Sequence, residues 1–154
     1  IRIRRAIVGY MENKNEITIT FDSYSVNEGF ARMAAAAFLT EFNPTLDEIE
    51  DVKTAISEAV TNAVIHGYEG TIGKVTLHFK RKGQEVEIIV EDHGKGIVDI
   101  EKAKQPFYTT KPELERSGMG FAFMEAFMDH VLVESKPDEG TRVTMTKKVG
   151  MREA

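Results

Sequence analysis

Two runs of alternating hydrophobicity, KVTLHFK (74–80) and EVEIIVE (85–91), are separated only by Arg81-Lys82-Gly83-Gln84. Four residues close a hairpin, whereas a parallel neighbour needs a crossover of about a dozen residues or more. A second such pair, VLVES (131–135) and TRVTMTK (141–147), is joined by Lys136-Pro137-Asp138-Glu139-Gly140. The two hairpins restrict the chain to a largely antiparallel sheet and disfavour a doubly wound parallel one.

The remaining elements fit around that sheet. EITITF (16–21) alternates and predicts a first strand. In VNEGFARMAAAAFLTEF (26–42), Phe30, Met33, Ala34, Ala37, Phe38 and Phe42 recur at helical spacing, and Asn43-Pro44 ends the helix. Thr45 with Glu48 forms a capping-box pattern that opens a second helix to about Ile65. Its apolar stripe is Ile49, Val52, Ile56, Val60 and Ala63, and Gly67 is its C-terminal stop. From Gly94 to Gly120 the pattern is poor apart from a short helix over 98–104, and GFAFMEAFMDH (120–130) is helical again. The order β-α-α-β-β-loop-α-β-β predicts a two-layer α/β sandwich, a mostly antiparallel mixed sheet with helices on one face.

Composition narrows the functions. The chain has 154 residues, no cysteine and a net charge of −5. Disulfides and thiolate chemistry are excluded, and general nucleic-acid binding is disfavoured for want of a basic footprint. No apolar run approaches the ~18 residues of a membrane span, and a reducing cytoplasm suits the composition. The opening IRIRRAIVGY carries three arginines, and Met11 after it reads like a native start. Residues 1–10 are therefore expected to be a leader or foreign segment, with a single domain over 11–154.

Three polar groups remain to be explained. Glu58 and Asn62 are four apart, so on a helix they stand one turn apart and about 40° round the axis. An Asn oxygen suits Mg²⁺. Asp92 ends an alternating strand and is followed by Gly94, Gly96 and the apolar Ile97. A turn explains the glycines, while a strand-end carboxylate also accepts hydrogen bonds from an exocyclic amine. The third group is TTKPELERSGMGF (109–121), with Thr109, Thr110, Lys111, Arg116, Ser117, Gly118, Met119 and Gly120 leading into a helix. A helix N-terminus beside cations favours phosphate, and a loop of this length and composition suits a lid over 104–120. No G-x-x-x-x-G-K-[ST] loop is present.

Together the groups resemble the Bergerat-fold (GHKL) ATPases, the superfamily of gyrase, MutL proteins and sensor-histidine-kinase catalytic domains. The E-x-x-x-N motif appears as Glu58 and Asn62, D-x-G-x-G as Asp92, Gly94 and Gly96, and the later glycine motif as Gly118-Met119-Gly120, followed by Gly140-Thr141. SEAVTNAVIHGYEG, QPFYTTKPELERSGMGF and MEAFMDHV are most similar to the anti-sigma factor kinases of spore-forming bacteria, of the anti-sigma-F type, over about residues 16–147.

That resemblance implies an ATP- and Mg²⁺-dependent serine protein kinase, dimeric and cytoplasmic. It would withhold a sporulation sigma factor from RNA polymerase and phosphorylate a serine on an anti-anti-sigma antagonist. Asp92 would read the adenine amino group, with Gly94 and Gly96 making room for the base and Ile97 and Thr141 completing its site. Glu58 would be the catalytic base, Asn62 the Mg²⁺ ligand, Arg116 the γ-phosphate partner and Arg32 a sigma-factor contact. Two rivals are a kinase serving a stress-response sigma factor and a non-catalytic module that senses ATP. A sensor histidine kinase is disfavoured, since no phosphoacceptor domain fits before Glu16.

Three further features carry no separate chemistry. His66 reads as a last-turn residue favoured by the helix dipole. Met119, Met124, Met128, Phe121, Phe123 and Phe127 read as packing residues, and Glu101-Lys102-Ala103-Lys104 as a solvated face. On this reading, Arg116→Ala is expected to weaken ATP-dependent steps while leaving ADP binding nearly intact. Calorimetric titration with ADP and with a non-hydrolysable ATP analogue checks it; equal losses place Arg116 away from the γ-phosphate.

Overall fold

The computed structural model describes residues 14–105 and 120–151. Five strands form one sheet in the order β1-β2-β3-β5-β4: β1 (Lys14–Asp22), β2 (Lys74–Lys82), β3 (Glu85–Asp92), β4 (His130–Lys136) and β5 (Gly140–Lys148). Every neighbouring pair among them is antiparallel. Both hairpins form as the short connections require, and the described strands contain no parallel pair.

Alternation decides which face is covered. Val75, Leu77 and Phe79 of β2, Val86, Ile88 and Val90 of β3, and Val143 and Met145 of β5 are buried on one side. Against them lie α1 (Asn27–Leu39), α2 (Leu46–Asn62) and α4 (Gly120–Phe127), with a one-turn α3 (Ile100–Ala103) between β3 and α4. The opposite face carries ladders of polar cross-strand pairs. Thr18 meets His78 at 3.1 Å, and Arg142 pairs with Glu91 at 3.2 Å.

The face of α1 departs from the expected one. Phe30 and Met33 are exposed, while Ala31, Ala35, Phe38 and Leu39 are buried. The run of alanines makes both sides of this helix apolar, so the larger side chains mislead. α1 packs on α2, whose buried stripe likewise includes Ala55 and Ala59 beside Val52, Ile56 and Val60. Small residues at such a contact let two helix axes approach closely. The bulky Phe30 and Met33 are left outside that seam.

At the pole where β2 turns into β3, Arg81 is almost wholly buried. It donates to the Glu41 and Gly83 carbonyls and to Gln84 Oε1, and its guanidinium lies 4.4 Å from the centre of the Phe42 ring. Gln84 Nε2 in turn donates to the carbonyls of Phe42 and Val149. A buried charge is tolerated when its donors are satisfied in this way. The turn chemistry of the hairpin was legible, but this anchoring of the segment after α1 and of the segment after β5 was not.

The capping box is present: Glu48 N–H donates to Thr45 Oγ1 at 3.0 Å, and Thr45 N–H to Glu48 Oε1 at 2.8 Å. Glu48 also accepts from Gly150 N–H, tying the start of α2 to the end of β5. Thr45→Ala is expected to cost about 1 kcal/mol of stability. Urea denaturation checks this; an unchanged midpoint at equal slope removes the cap from the stabilising contacts.

Candidate functional site

Helix α2 does not stop cleanly at Gly67. It widens into a π-helical turn, Ala63–Gly67, closed by Tyr68 N–H donating to the Ala63 carbonyl at 3.3 Å. Such turns concentrate at functional sites. Here the turn delivers Gly67 beneath the end of β3. A Cβ at Gly67 would lie 2.9 Å from Asp92 Oδ1, and a Cβ at Gly94 would overlap the Gly67 carbonyl. That carbonyl accepts from Lys95 N–H at 2.8 Å.

The glycines that follow Asp92 therefore have a reason in protein packing, independent of any ring. Gly94 must lack a side chain because another backbone passes against it. Gly96, at φ +75°, sits where a Cβ would overlap the Lys136 carbonyl. Both the left-handed backbone and the close approach call for glycine.

Asp92 itself is 6% exposed and points into a cavity of about 600 Å³. Its Oδ1 accepts from Gly94 N–H at 2.9 Å, and the Thr141 backbone N–H also supports the carboxylate. Burial pushes its carboxyl above the ordinary 3.8, against the lowering effect of those two N–H groups and the nearby His93. The net direction is upward because desolvation penalises the charged form most.

Ile97, Gly96, Val143 and Thr141 line the cavity around Asp92, and Ala59, Asn62 and Phe121 close it from the helices. Ser135 locks the Ile97–Thr141 side: its hydroxyl accepts from Ile97 N–H at 2.7 Å and lies 2.8 Å from Thr141 Oγ1. Glu58 and Asn62 are half-buried and brought together under α4. A Cβ at Gly120 would be 3.3 Å from Asn62 Nδ2 and 3.4 Å from Glu58 Oε2. Asn62 lines the cavity, with Glu58 one turn behind it.

Some of the expected residues fall elsewhere. Thr109, Thr110, Lys111, Arg116, Ser117, Gly118 and Met119, and with them most of the expected lid, lie outside the described residues. Arg32 is on α1, away from the cavity, with its Nε 3.2 Å from Glu28 Oε1. His66 lies on the cavity wall. Lys102 and Ala103 also reach the wall, so that segment is more than a solvated face. Gly67, Tyr68 and Ser135 were missed as site residues. Only the apposition of distant backbone reveals them.

The sandwich and its cavity are those of a histidine kinase-like ATPase domain, and a family model with that description matches residues 23–147. The chain belongs to this family, in its anti-sigma F factor branch. The anti-sigma F factor of Clostridium kluyveri is 57% identical over 133 residues, covering 86% of this chain and 94% of that protein. The anti-sigma F factor of Thermoanaerobacter pseudethanolicus is 54% identical over 140 residues, covering 91% and 98%. The crystal structure of the RsbU and RsbW domains of a Mycobacterium tuberculosis protein shares the fold, with a TM-score of 0.64 at 23% identity. The match covers 88% of this chain and 32% of that one. Among the described residues, no helix is long and apolar enough to cross a membrane.

A carboxyl whose folded pKa is raised stabilises the fold when protonated. That contribution is complete below the unfolded value of about 3.9 and is lost as pH rises through the folded one. Asp92→Asn, neutral at every pH, is expected to flatten this limb of the melting-temperature profile of the ligand-free protein. The same variant is expected to bind ADP about ten- to a hundredfold more weakly, since a hydrogen bond to a charged group is worth ~1.5–3 kcal/mol. Thermal melts across pH and calorimetry check the two effects. Unchanged ADP affinity in the folded variant removes Asp92 from the base site.

Proposed function

We propose that this protein is an ATP-dependent serine kinase and an anti-sigma factor. It binds ATP in the cavity and transfers the γ-phosphoryl group to a serine of an anti-anti-sigma antagonist. It also withholds a sporulation sigma factor from RNA polymerase. The observation that carries the reading is the buried Asp92 carboxylate facing a cavity whose other wall holds Asn62, with Glu58 adjacent.

Asp92 accepts the exocyclic amine of adenine, a hydrogen bond strengthened by the dry surroundings. The apolar walls, Ile97, Val143 and Phe121, cover the faces of the base. The phosphates extend toward Asn62 and the Gly120 end of α4. Among the described residues no cluster of three or more His, Asp or Glu side chains is placed to hold a metal. A lone carboxamide oxygen at the cavity fits Mg²⁺ nonetheless, because that ion keeps several waters and is held by one or two protein ligands plus phosphate oxygens. When bound, it neutralises developing phosphate charge.

Glu58 orients the substrate serine hydroxyl and accepts its proton as the new O–P bond forms. The bond from the γ-phosphorus to the bridging oxygen breaks, and ADP leaves. Arg116 and Lys111 offset the γ-phosphate charge. Arg32, half-exposed on α1, contributes to the sigma-factor surface of a homodimer.

Glu58→Gln tests the catalytic part, because it preserves shape and leaves Asn62 and Asp92 in place. With radiolabelled ATP, Mg²⁺ and antagonist, the wild type is expected to label antagonist serine and the variant to do so roughly 10²–10⁴-fold more slowly. Nucleotide affinity is expected to stay near wild type. Wild-type turnover in the variant removes Glu58 from catalysis. Absence of label with wild-type protein that binds ATP turns the reading to a non-catalytic, ATP-sensing sigma-binding module.

A further inference from the structure

Asp92 can discriminate between bases only if its carboxylate is held still, and the turn that follows it is tied to the neighbouring strand by one side chain outside the cavity lining. The Tyr68 hydroxyl accepts from His93 N–H at 2.9 Å and donates to the Lys74 carbonyl at 2.5 Å. His93 directly follows Asp92. Lys74 opens β2, whose second residue, Val75, is the register partner of Asp92. One phenol thus bridges the strand that ends in Asp92 to the neighbouring strand, where the β-ladder between them runs out.

The ring is fixed as well as the hydroxyl. Gly73 lies flat against it, and a Cβ at that position would overlap the Tyr68 ring. Gly73 is itself held by Ser23, whose N–H donates to the Gly73 carbonyl at 2.9 Å and whose Oγ accepts from Gly73 N–H at 3.0 Å. Tyr68 follows the π-helical turn, and its own N–H closes that turn. The residue connects the end of the Glu58–Asn62 helix to the turn that carries Asp92.

We propose that Tyr68 is a positioning residue that sets nucleobase selectivity by fixing the Asp92 turn. The inference rests on the reading that Asp92 binds adenine. It makes no contact of its own with the nucleotide: its hydroxyl is spent on two backbone groups. A guanine presents a carbonyl where adenine presents an amine, and a rigid carboxylate repels that oxygen. A loosened turn lets Asp92 retreat, so adenine loses more than guanine.

The test measures ADP and GDP affinities by calorimetry for wild type, Tyr68→Phe, Gly73→Ala and Asp92→Asn. Tyr68→Phe is expected to weaken ADP about three- to tenfold, the worth of one net hydrogen bond, and to change GDP less. At saturating ATP, kcat is expected to hold while KM for ATP rises. Gly73→Ala displaces the same ring by a different route and is expected to lower selectivity in the same direction. Wild-type ADP affinity in Tyr68→Phe overturns the inference, as does an equal loss for ADP and GDP or a lowered melting temperature with unchanged affinities. If Asp92→Asn retains wild-type ADP affinity, the base-site reading fails and this inference with it. A normal Tyr68→Phe beside a defective Asp92→Asn sinks the positioning role alone.

Discussion

The cavity end of the molecule is organised by one desolvated carboxylate. Asp92 sits on the last rung of β3, with Val75 opposite on β2 and Thr141 opposite on β5. Burying such a group in isolation is prohibitive. The chain offsets the cost with backbone donors on two segments, Gly94 and Thr141, while Gly67 of a third packs directly against the carboxylate. The turn after β3 and the start of β5 are held together because both donate to this carboxylate, and the turn after α2 joins them by packing against it and accepting from Lys95 N–H. The walls of the cavity follow from that arrangement.

The helical layer obeys a different rule. α2 carries Glu58 and Asn62 on the flank of a strongly buried stripe, so the position of these polar groups is set by hydrophobic packing several residues away. Gly120 lies over both side chains. The site joins a polar seat made by backbone with a polar flank positioned by a core.

How much of this was legible varies with how local the signal is. Hairpins, the Thr45–Glu48 box and the period-2 strands are written within a few residues of one another, and all appear with boundaries shifted by a residue or two. The Glu58–Asn62 pair and the Asp92 turn were legible because helical pitch and strand ends place them. The face of α1 was not, because in an alanine-rich helix the tight contact is made by the smallest residues. Gly67 looked like a helix stop, yet its role comes from Asp92 and Gly94, which lie far along the chain. Tyr68 and Ser135 carry no pattern at all. Their meaning is tertiary, resting on hydroxyls that meet the backbone of the segment after β3.

The strand order also bears on the sequence of events in folding. β2–β3 and β4–β5 are local hairpins, whereas the β3–β5 pairing joins them across α3, α4 and the segment between. Local pairs can form early, while closing a long loop has to await other contacts that hold its ends together. The Asp92–Thr141 rung belongs to that non-local seam. A chain with both hairpins formed but undocked would own every residue of the carboxylate seat and still lack the seat. The pocket thus belongs to no single hairpin and exists only where the C-terminal hairpin is docked on β3.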